Sequence, residues 1–341
     1  MENIIRHIFS TFLQKMIFIF VFACAFNLRG QDIHFSLTDL APLQLNPAMA
    51  GVSTQLHATL HSRTQWRAVP APFNTLYASA DFRFKSNSNW KLIGGIDAYN
   101  DKSGEPTLFT NGINFYGGSK IKIGSNTSLS AALSVGFRQI SIRPENGLWG
   151  SQFNGTEYDK NINSGEVFST LQLSGMTSSA GVVFNYSNSQ GRRVIQTKKE
   201  FQFGLGAYHL NRPDNSFLSA GTDHLPIRFT AFTKGEFAIK GKKSAIMPAI
   251  YYQRQGKFQE IIFGTSVKYM VRNPSQYTYF SPKFNVGWGL FYRLNDALII
   301  KSFIDWSDFS IALAYDINSS LLRTSSNLRG ALEFTLRYTI D

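Results

Sequence analysis

From residue 55 onward the chain repeats one pattern: stretches of roughly 10–15 residues in which apolar and small polar side chains alternate, separated by clusters of Gly, Asn, Ser and Asp. The last stretch is the clearest. Leu332, Phe334, Leu336, Tyr338 and Ile340 share one face, and Glu333, Thr335, Arg337 and Thr339 the other. Upstream, Phe309, Ile311, Leu313, Tyr315 and Ile317 alternate with Ser310, Ala312, Ala314 and Asp316. Val286, Trp288, Leu290 and Tyr292 likewise oppose Asn285, Gly287, Phe291 and Arg293. A period of two is the signature of a strand with unlike faces, and a tilted strand of roughly 9–11 residues crosses a hydrocarbon layer. No stretch after residue 30 approaches the roughly 18 consecutive apolar residues that a membrane helix requires.

The pattern predicts strands over 55–66, 73–85, 90–99, 107–120, 127–142, 176–187 and 200–210, then 227–239, 244–255, 258–271, 283–294, 297–306, 309–318 and 330–340. That is fourteen strands, an even number, as a closed bacterial barrel requires. If residue 55 starts at the periplasmic rim, the long polar connections 143–175, 211–226 and 319–329 all face outward. The inner connections 86–89, 121–126, 240–243 and 307–308 are then short, with 188–199 and 272–282 as exceptions. The expected fold is all-β, a transmembrane antiparallel β-barrel, with a soluble β-sandwich as the competing architecture. Gly204, Gly206, Gly287 and Gly289 on the polar face are expected to let the sheet curve without crowding the lumen.

Composition supports a lipid-facing barrel. Of 341 residues, 14% are aromatic and only 16% charged, too few charges for an ordinary soluble surface. Lys and Arg exceed Asp and Glu by 34 to 22, a net charge of +12. The basic residues form only short runs, Arg192-Arg193, Lys198-Lys199 and Lys240-Gly241-Lys242-Lys243. They read as loop and lumen charges that attract anionic surfaces, and nucleic acid is not an expected partner.

Residues 1–30 have the plan of a cleaved signal peptide: Arg6 and Lys15, then an apolar run from Met16 to Phe26, then small residues at Ala23-Cys24-Ala25 or a cut before Gln31. The single cysteine, Cys24, would leave with it. Residues 31–54 break the alternation with Asn46-Pro47 and read as a leader that folds against the barrel mouth or into the lumen as a partial plug, ahead of a barrel over 55–341.

No catalytic or cofactor motif stands out. His57 and His61 have the spacing of a metal pair on a helix, but on a strand four residues separate them by about 13 Å. They are expected to be separate lumen-facing groups. His209 and His224 flank a loop and could meet, and Asp81, Asp97, Asp101 and Glu105 read as solvated acids near a hairpin tip. Trp149, Phe153, Tyr158 and Phe168, set among Asn and Gly, fit either a recognition surface or a loop packed on itself. No metal, cofactor or enzymatic activity is expected.

An ordered set of short motifs carries a resemblance. Gln31-Asp32-x-His34-Phe35-Ser36, Leu45-Asn46-Pro47-Ala48-x-Ala50-Gly51, Arg63-x-Gln65-Trp66, Pro72-Phe73-x-Thr75 and Ser79-x-Asp81 open it. Gly94-Gly95, Ala98-Tyr99-Asn100-Asp101, Gly204-x-Gly206-x-x-His209-Leu210-Asn211-x-Pro213, Tyr292-Arg293, Ala314-Tyr315-Asp316 and Leu332-Glu333-Phe334 complete it. In this the chain resembles the PorP/SprF family, outer-membrane proteins of the type IX secretion system of Bacteroidota. The resemblance implies a non-enzymatic barrel that supports secretion and surface anchoring of cargo such as gliding adhesins with a C-terminal targeting domain. It also implies contacts with periplasmic ring or peptidoglycan-associated components. It marks Asn46, Pro47, Ala48, Gly51, Arg63, Gln65, Trp66 and Asp81 as structural or partner-binding positions, Arg63 and Gln65 pointing inward and Trp66 in the interfacial belt. A channel or a transporter for a hydrophobic solute is the alternative function.

Overall fold

The computed structural model describes residues 32–52, 55–66, 72–84, 89–104, 108–188, 199–217, 223–272, 282–319 and 329–340. The expected signal segment with Cys24, Gln31, and Glu105 lie outside the described residues.

The alternation resolves into fourteen strands. They are β1 (Leu56–Gln65), β2 (Phe73–Arg83), β3 (Trp90–Ser103), β4 (Leu108–Lys122), β5 (Thr127–Ile142), β6 (Gln172–Ser187) and β7 (Lys199–Tyr208). Then follow β8 (Arg228–Ala238), β9 (Ser244–Gln255), β10 (Phe258–Arg272), β11 (Phe284–Arg293), β12 (Ala297–Trp306), β13 (Phe309–Asn318) and β14 (Arg329–Ile340). Each strand pairs with its chain neighbours, and β14 returns to β1 to close the barrel. The closure is antiparallel and runs from Leu56 opposite Ile340 to Gln65 opposite Ala331. A closed sheet has no edge with unpaired backbone groups, the condition for crossing lipid with strands, so the β-sandwich alternative does not apply.

Two strands outrun by four residues the alternation that predicts them. β3 continues to Ser103 because Asn100–Ser103 pair with Leu108–Asn111, and β6 starts at Gln172 because it pairs with Ser141. Backbone ladder bonds carry a strand past the point where its side-chain pattern fades. The faces divide as expected: on β5, Leu133 is 67% exposed and its neighbour Ser134 5%. Alternate strand ends share one end of an antiparallel barrel, so the strand ends that flank 143–171, 209–227 and 319–328 lie at one mouth and those that flank 123–126, 239–243 and 307–308 at the other. We refer to these as the long-loop end and the short-turn end.

Inside, glycine makes room for rings. Gly204 sits opposite Phe232, Gly287 opposite Phe303, and Gly112 opposite Tyr99, and a side chain at any of these glycines would collide with the facing ring. The polar-face glycines thus do more than ease curvature, since they seat large inward aromatics that fill the lumen.

The leader lies among these inward side chains. Leu37, Leu43, Leu45, Ala48, Met49 and Val52 are buried; Leu37, Leu45, Ala48 and Met49 pack with wall residues such as Ile93, Val183, Phe232 and Ile299, and Leu43 with Tyr116. Its backbone forms a 3-10 turn at Thr38–Leu40, one α-helical turn at Pro42–Leu45 and a second 3-10 turn at Pro47–Met49. Pro42 and Pro47 each open a turn, where the missing N–H costs nothing, and the Asn46 side chain caps the last one by accepting from Ala48 N at 2.8 Å.

Leu133, midway along β5 and facing outward, tests the lipid-facing assignment. Leu133→Arg is expected to cost about 2–4 kcal/mol of barrel stability, while Ser134→Arg on the inner face acts through lumen packing instead. Urea unfolding of the protein refolded into lipid vesicles measures it; a neutral Leu133→Arg would contradict the assignment.

Candidate functional site

The leader is held to the wall by charge and hydrogen bonds, concentrated where the barrel closes. Arg63 on β1 and Glu333 on β14 face each other across the closing pair of strands and form a salt bridge. Both are buried, Glu333 completely. The Glu333 carboxylate also accepts the backbone N–H of Ser36 at 2.7 Å and of Leu37 at 2.8 Å, and lies 3.1 Å from His61 Nε2. Ser36 Oγ donates to Asp316 at 2.7 Å and accepts from Arg63 Nη1 at 3.0 Å and Arg293 Nη2 at 2.6 Å. Arg293 in turn bridges Asp316 at 2.9 Å and approaches Glu260 at 3.5 Å. One serine of the leader therefore stands at the junction of two arginine–carboxylate pairs drawn from β1, β11, β13 and β14.

A second set of contacts follows the leader along the lumen. Gln44 donates to Asp97 at 3.0 Å, and Asp97 also accepts from Asn114 and Tyr116, both at 2.7 Å. Tyr208 donates to Leu43 O at 2.6 Å, and Thr230 to Leu45 O at 2.7 Å. Asn46 donates to Val182 O at 3.2 Å and packs directly over Gly181, where an added methyl would overlap its amide. Lys301 pairs with Asp39 at 3.1 Å. Near the short-turn end, Gly51 N donates to Asp81 at 2.8 Å, and Lys120 donates to Val52 O at 2.6 Å. Gly51 has φ +57°, and any side chain there would run into the Phe82 carbonyl, so only glycine fits.

The residues marked by sequence resemblance largely converge here. Asn46, Pro47, Ala48, Gly51, Arg63 and Asp81 lie at the contact between leader and wall. Gln65 accepts from Arg63 at 3.1 Å, and Trp66, at φ 56°, sets its ring edge-on to Phe73 at 5.0 Å, so both border the contact rather than form it. His57 and His61 turn inward to different acids, Asp81 at 3.2 Å and Glu333 at 3.1 Å. His209 engages Thr177 at 2.7 Å, whereas His224 pairs with Asp214 at 2.8 Å.

The reading of Asp81 and Asp97 as solvated hairpin acids is corrected: each is 1% exposed, because strand parity turns it inward and the leader covers it. Asp101 accepts from Thr75 at 2.6 Å. Glu333, Asp316, Glu260, Arg293 and Ser36 carry the network, yet sequence reasoning did not single them out as a site. Ser36, Arg293, Asp316 and Glu333 do stand in the quoted family motifs, but only the fold shows that they meet; Glu260 has no signal beyond an inward parity shared with many uncharged neighbours.

The long loop 143–171 is packed on itself. Trp149 Nε1 donates to Pro144 O at 3.0 Å and its ring lies 6.2 Å from that of Phe168, while Tyr158 donates to Gln152 at 2.8 Å. Phe153 bridges Tyr158 through the backbone but keeps its ring exposed, and the side chains of Leu148 and Val167 are exposed as well.

The arrangement clamps the leader to the wall. His61, Glu333 and Thr335 resemble a catalytic constellation, but all are buried, with the Phe35 ring 4.1 Å from that of His61. Among the described residues, no group of three His, Cys, Asp or Glu side chains is placed to hold a metal.

Arg63→Met is expected to cost about 3–5 kcal/mol, since it strands a buried carboxylate, and to open the leader to chymotrypsin at Phe35. Urea unfolding together with limited proteolysis measures both effects. An unchanged unfolding midpoint would mean that Glu333 does not depend on Arg63.

Comparison with curated protein sequences finds no match. Among solved structures, the chain is similar to the toluene transporter TbuX of Ralstonia pickettii, at 8% identity and TM-score 0.46, over 89% of this chain and 94% of that one. It is similar to the CymD monoaromatic hydrocarbon channel at 11% identity and TM-score 0.47, over 89% and 92% of the two chains. It is also similar to BamA from Haemophilus ducreyi lacking POTRA domains 1-3, at 9% identity and TM-score 0.45, over 92% and 80%. Residues 27–338 match the family described as type IX secretion system membrane protein PorP/SprF. With nearly its whole length matched and its lipid-facing wall closed by the Arg63–Glu333 pair, the chain belongs to the PorP/SprF family of outer-membrane barrels.

Proposed function

We propose that this chain is a non-enzymatic, plugged barrel that anchors type IX secretion cargo at the cell surface. The cargo class is adhesins with a C-terminal targeting domain, as in gliding Bacteroidota. In this reading residues 1–30 are a signal peptide removed on export, residues 31–54 are the plug, and residues 55–341 are the barrel, with its long-loop end facing outward. The observation that carries it is the leader itself. A segment pinned inside the lumen by buried ion pairs at one end and by the Gly51–Asp81 bond near the other favours a docking body over an open pore. The loop 143–171 supports the same role. Its internal bonds hold Trp149, Tyr158 and Phe168, which leaves Phe153, Leu148 and Val167 presented on an ordered base as a surface for cargo.

One observation favours the channel alternative. A cavity of about 310 Å³ remains beside the leader, lined by Asp39, Lys234, Lys268, Lys301, Phe303 and Arg337 among others. Conduction through it would require the leader to move.

Planar-bilayer recordings separate the two. The intact protein is expected to show no steady open state of porin size, and a variant lacking residues 33–52 to conduct. In cells, deletion of the gene is expected to abolish surface display of the cognate adhesin, scored by antibody on whole cells. A steady pore in the intact protein, or full adhesin display in the deletion strain, would defeat the anchoring reading.

A further inference from the structure

Four lumen cations have a carboxylate within ion-pair distance: Arg63 with Glu333, Arg293 with Asp316, Lys268 with Glu236, and Lys301 with Asp39. The lysines at one end are arranged differently. At the short-turn end, strand parity turns Lys91 of β3 and Lys120 and Lys122 of β4 inward, in line with the buried Ile93, Tyr116 and Ser128. Lys91 and Lys120 are directly opposite each other in the ladder, a like-charge pair that costs stability. Lys120 is bonded to a carbonyl, Val52 O, and no carboxylate lies within ion-pair distance of the three lysines among the described residues. The lysines line a cavity of about 240 Å³ whose remaining wall is amide and hydroxyl, including Asn89, Asn126 and Asn185, without a carboxylate. The neighbouring acid, Glu200, takes a bond from Ser187 at the cavity's edge at 3.1 Å.

We infer that this cavity is a binding site for the carboxylates of an acidic polypeptide segment that enters the short-turn mouth. Several charges must be met at once, since the ammonium groups come from two strands and relieving their mutual repulsion takes more than one negative group. The lysines face the lumen, which excludes a lipid headgroup on the outer wall. Amide and hydroxyl groups ranged around them suit a peptide backbone, whose N–H and C=O both need partners. In the orientation adopted under Proposed function this mouth faces the periplasm, so the partner is a periplasmic protein with an exposed acidic stretch. The inference rests on that reading for the partner's compartment alone; the site itself does not depend on it.

Binding of fluorescent hexaglutamate to the purified full chain in detergent tests the site without reference to orientation or adhesin display. The intact protein is expected to bind it, with affinity falling as salt rises. Lys91→Gln/Lys122→Gln is expected to weaken binding about tenfold, while Lys240→Gln/Lys242→Gln, in a turn at the same end, leaves it unchanged. The first variant removes repulsion, so it is expected to keep the barrel's heat-dependent gel mobility, which checks that it has folded. No binding by the intact protein, or equal losses in the two variants, would overturn the proposal. Displacement of the peptide by an equal concentration of inorganic phosphate would also overturn it, because it would mark a small-anion site and not a peptide site.

Discussion

The structure depends on one buried carboxylate. Glu333 is fully enclosed, and an enclosed carboxylate is tolerable only when it is paired and hydrogen-bonded. Its partners come from two places: Arg63 and His61 on the first strand, and the backbone N–H groups of Ser36 and Leu37 in the leader. Closing the barrel brings Arg63 and Glu333 into register. Closure alone, however, leaves the carboxylate short of two donors that only the leader supplies. Leader docking therefore completes the hydrogen bonding of a carboxylate that barrel closure has already paired with Arg63.

This arrangement also shows why a polar lock is used inside a lumen that has apolar surface to offer. The leader buries leucines against Ile93, Val183 and Ile299, and that contact is non-directional. A leader held by such contacts alone could slide by a residue at little cost. Ser36 cannot: its hydroxyl takes two arginines and gives to one carboxylate, a geometry that no neighbouring residue reproduces. Buried ion pairs are weak sources of net stability, and here their use is to set register. Asn46 does the same lower down, where Gly181 leaves just enough room for its amide.

Much of the barrel was legible in the sequence because its main determinant is local. Lipid on one side and the lumen on the other impose a period of two, and that period survives in every strand from Leu56 to Ile340. Parity also says correctly that His57 and His61 point inward. The site was less legible, because its partners are distant in the chain. Ser36 meets Glu333 across 297 residues, and although Leu332-Glu333-Phe334 stands among the family motifs, nothing local says that Glu333 meets the leader. The misreading of Asp97 has the same origin. Its neighbours Tyr99 and Asn100 suggest a hairpin end, whereas Gln44, which buries it, comes from the leader. The ring-over-glycine pairs were half visible: the glycines could be read, but which ring covers each depends on register.

The net charge of +12 takes on a different meaning once partners are assigned. A lumen is a low-dielectric space in which an unmatched cation is costly, and the leader half of this one is arranged accordingly, with Arg63, Arg293 and Lys301 each beside an acid. Those pairs are satisfied within the chain and have no charge left for a ligand. Lys91, Lys120 and Lys122 occupy the same inner surface under the same physical rule, yet two of them face each other. The cost is bearable because the mouth is open to water, and it falls further when an anion arrives. Matched charge therefore helps to fix the plug, and the short-turn lysines are left where something outside the chain can reach them.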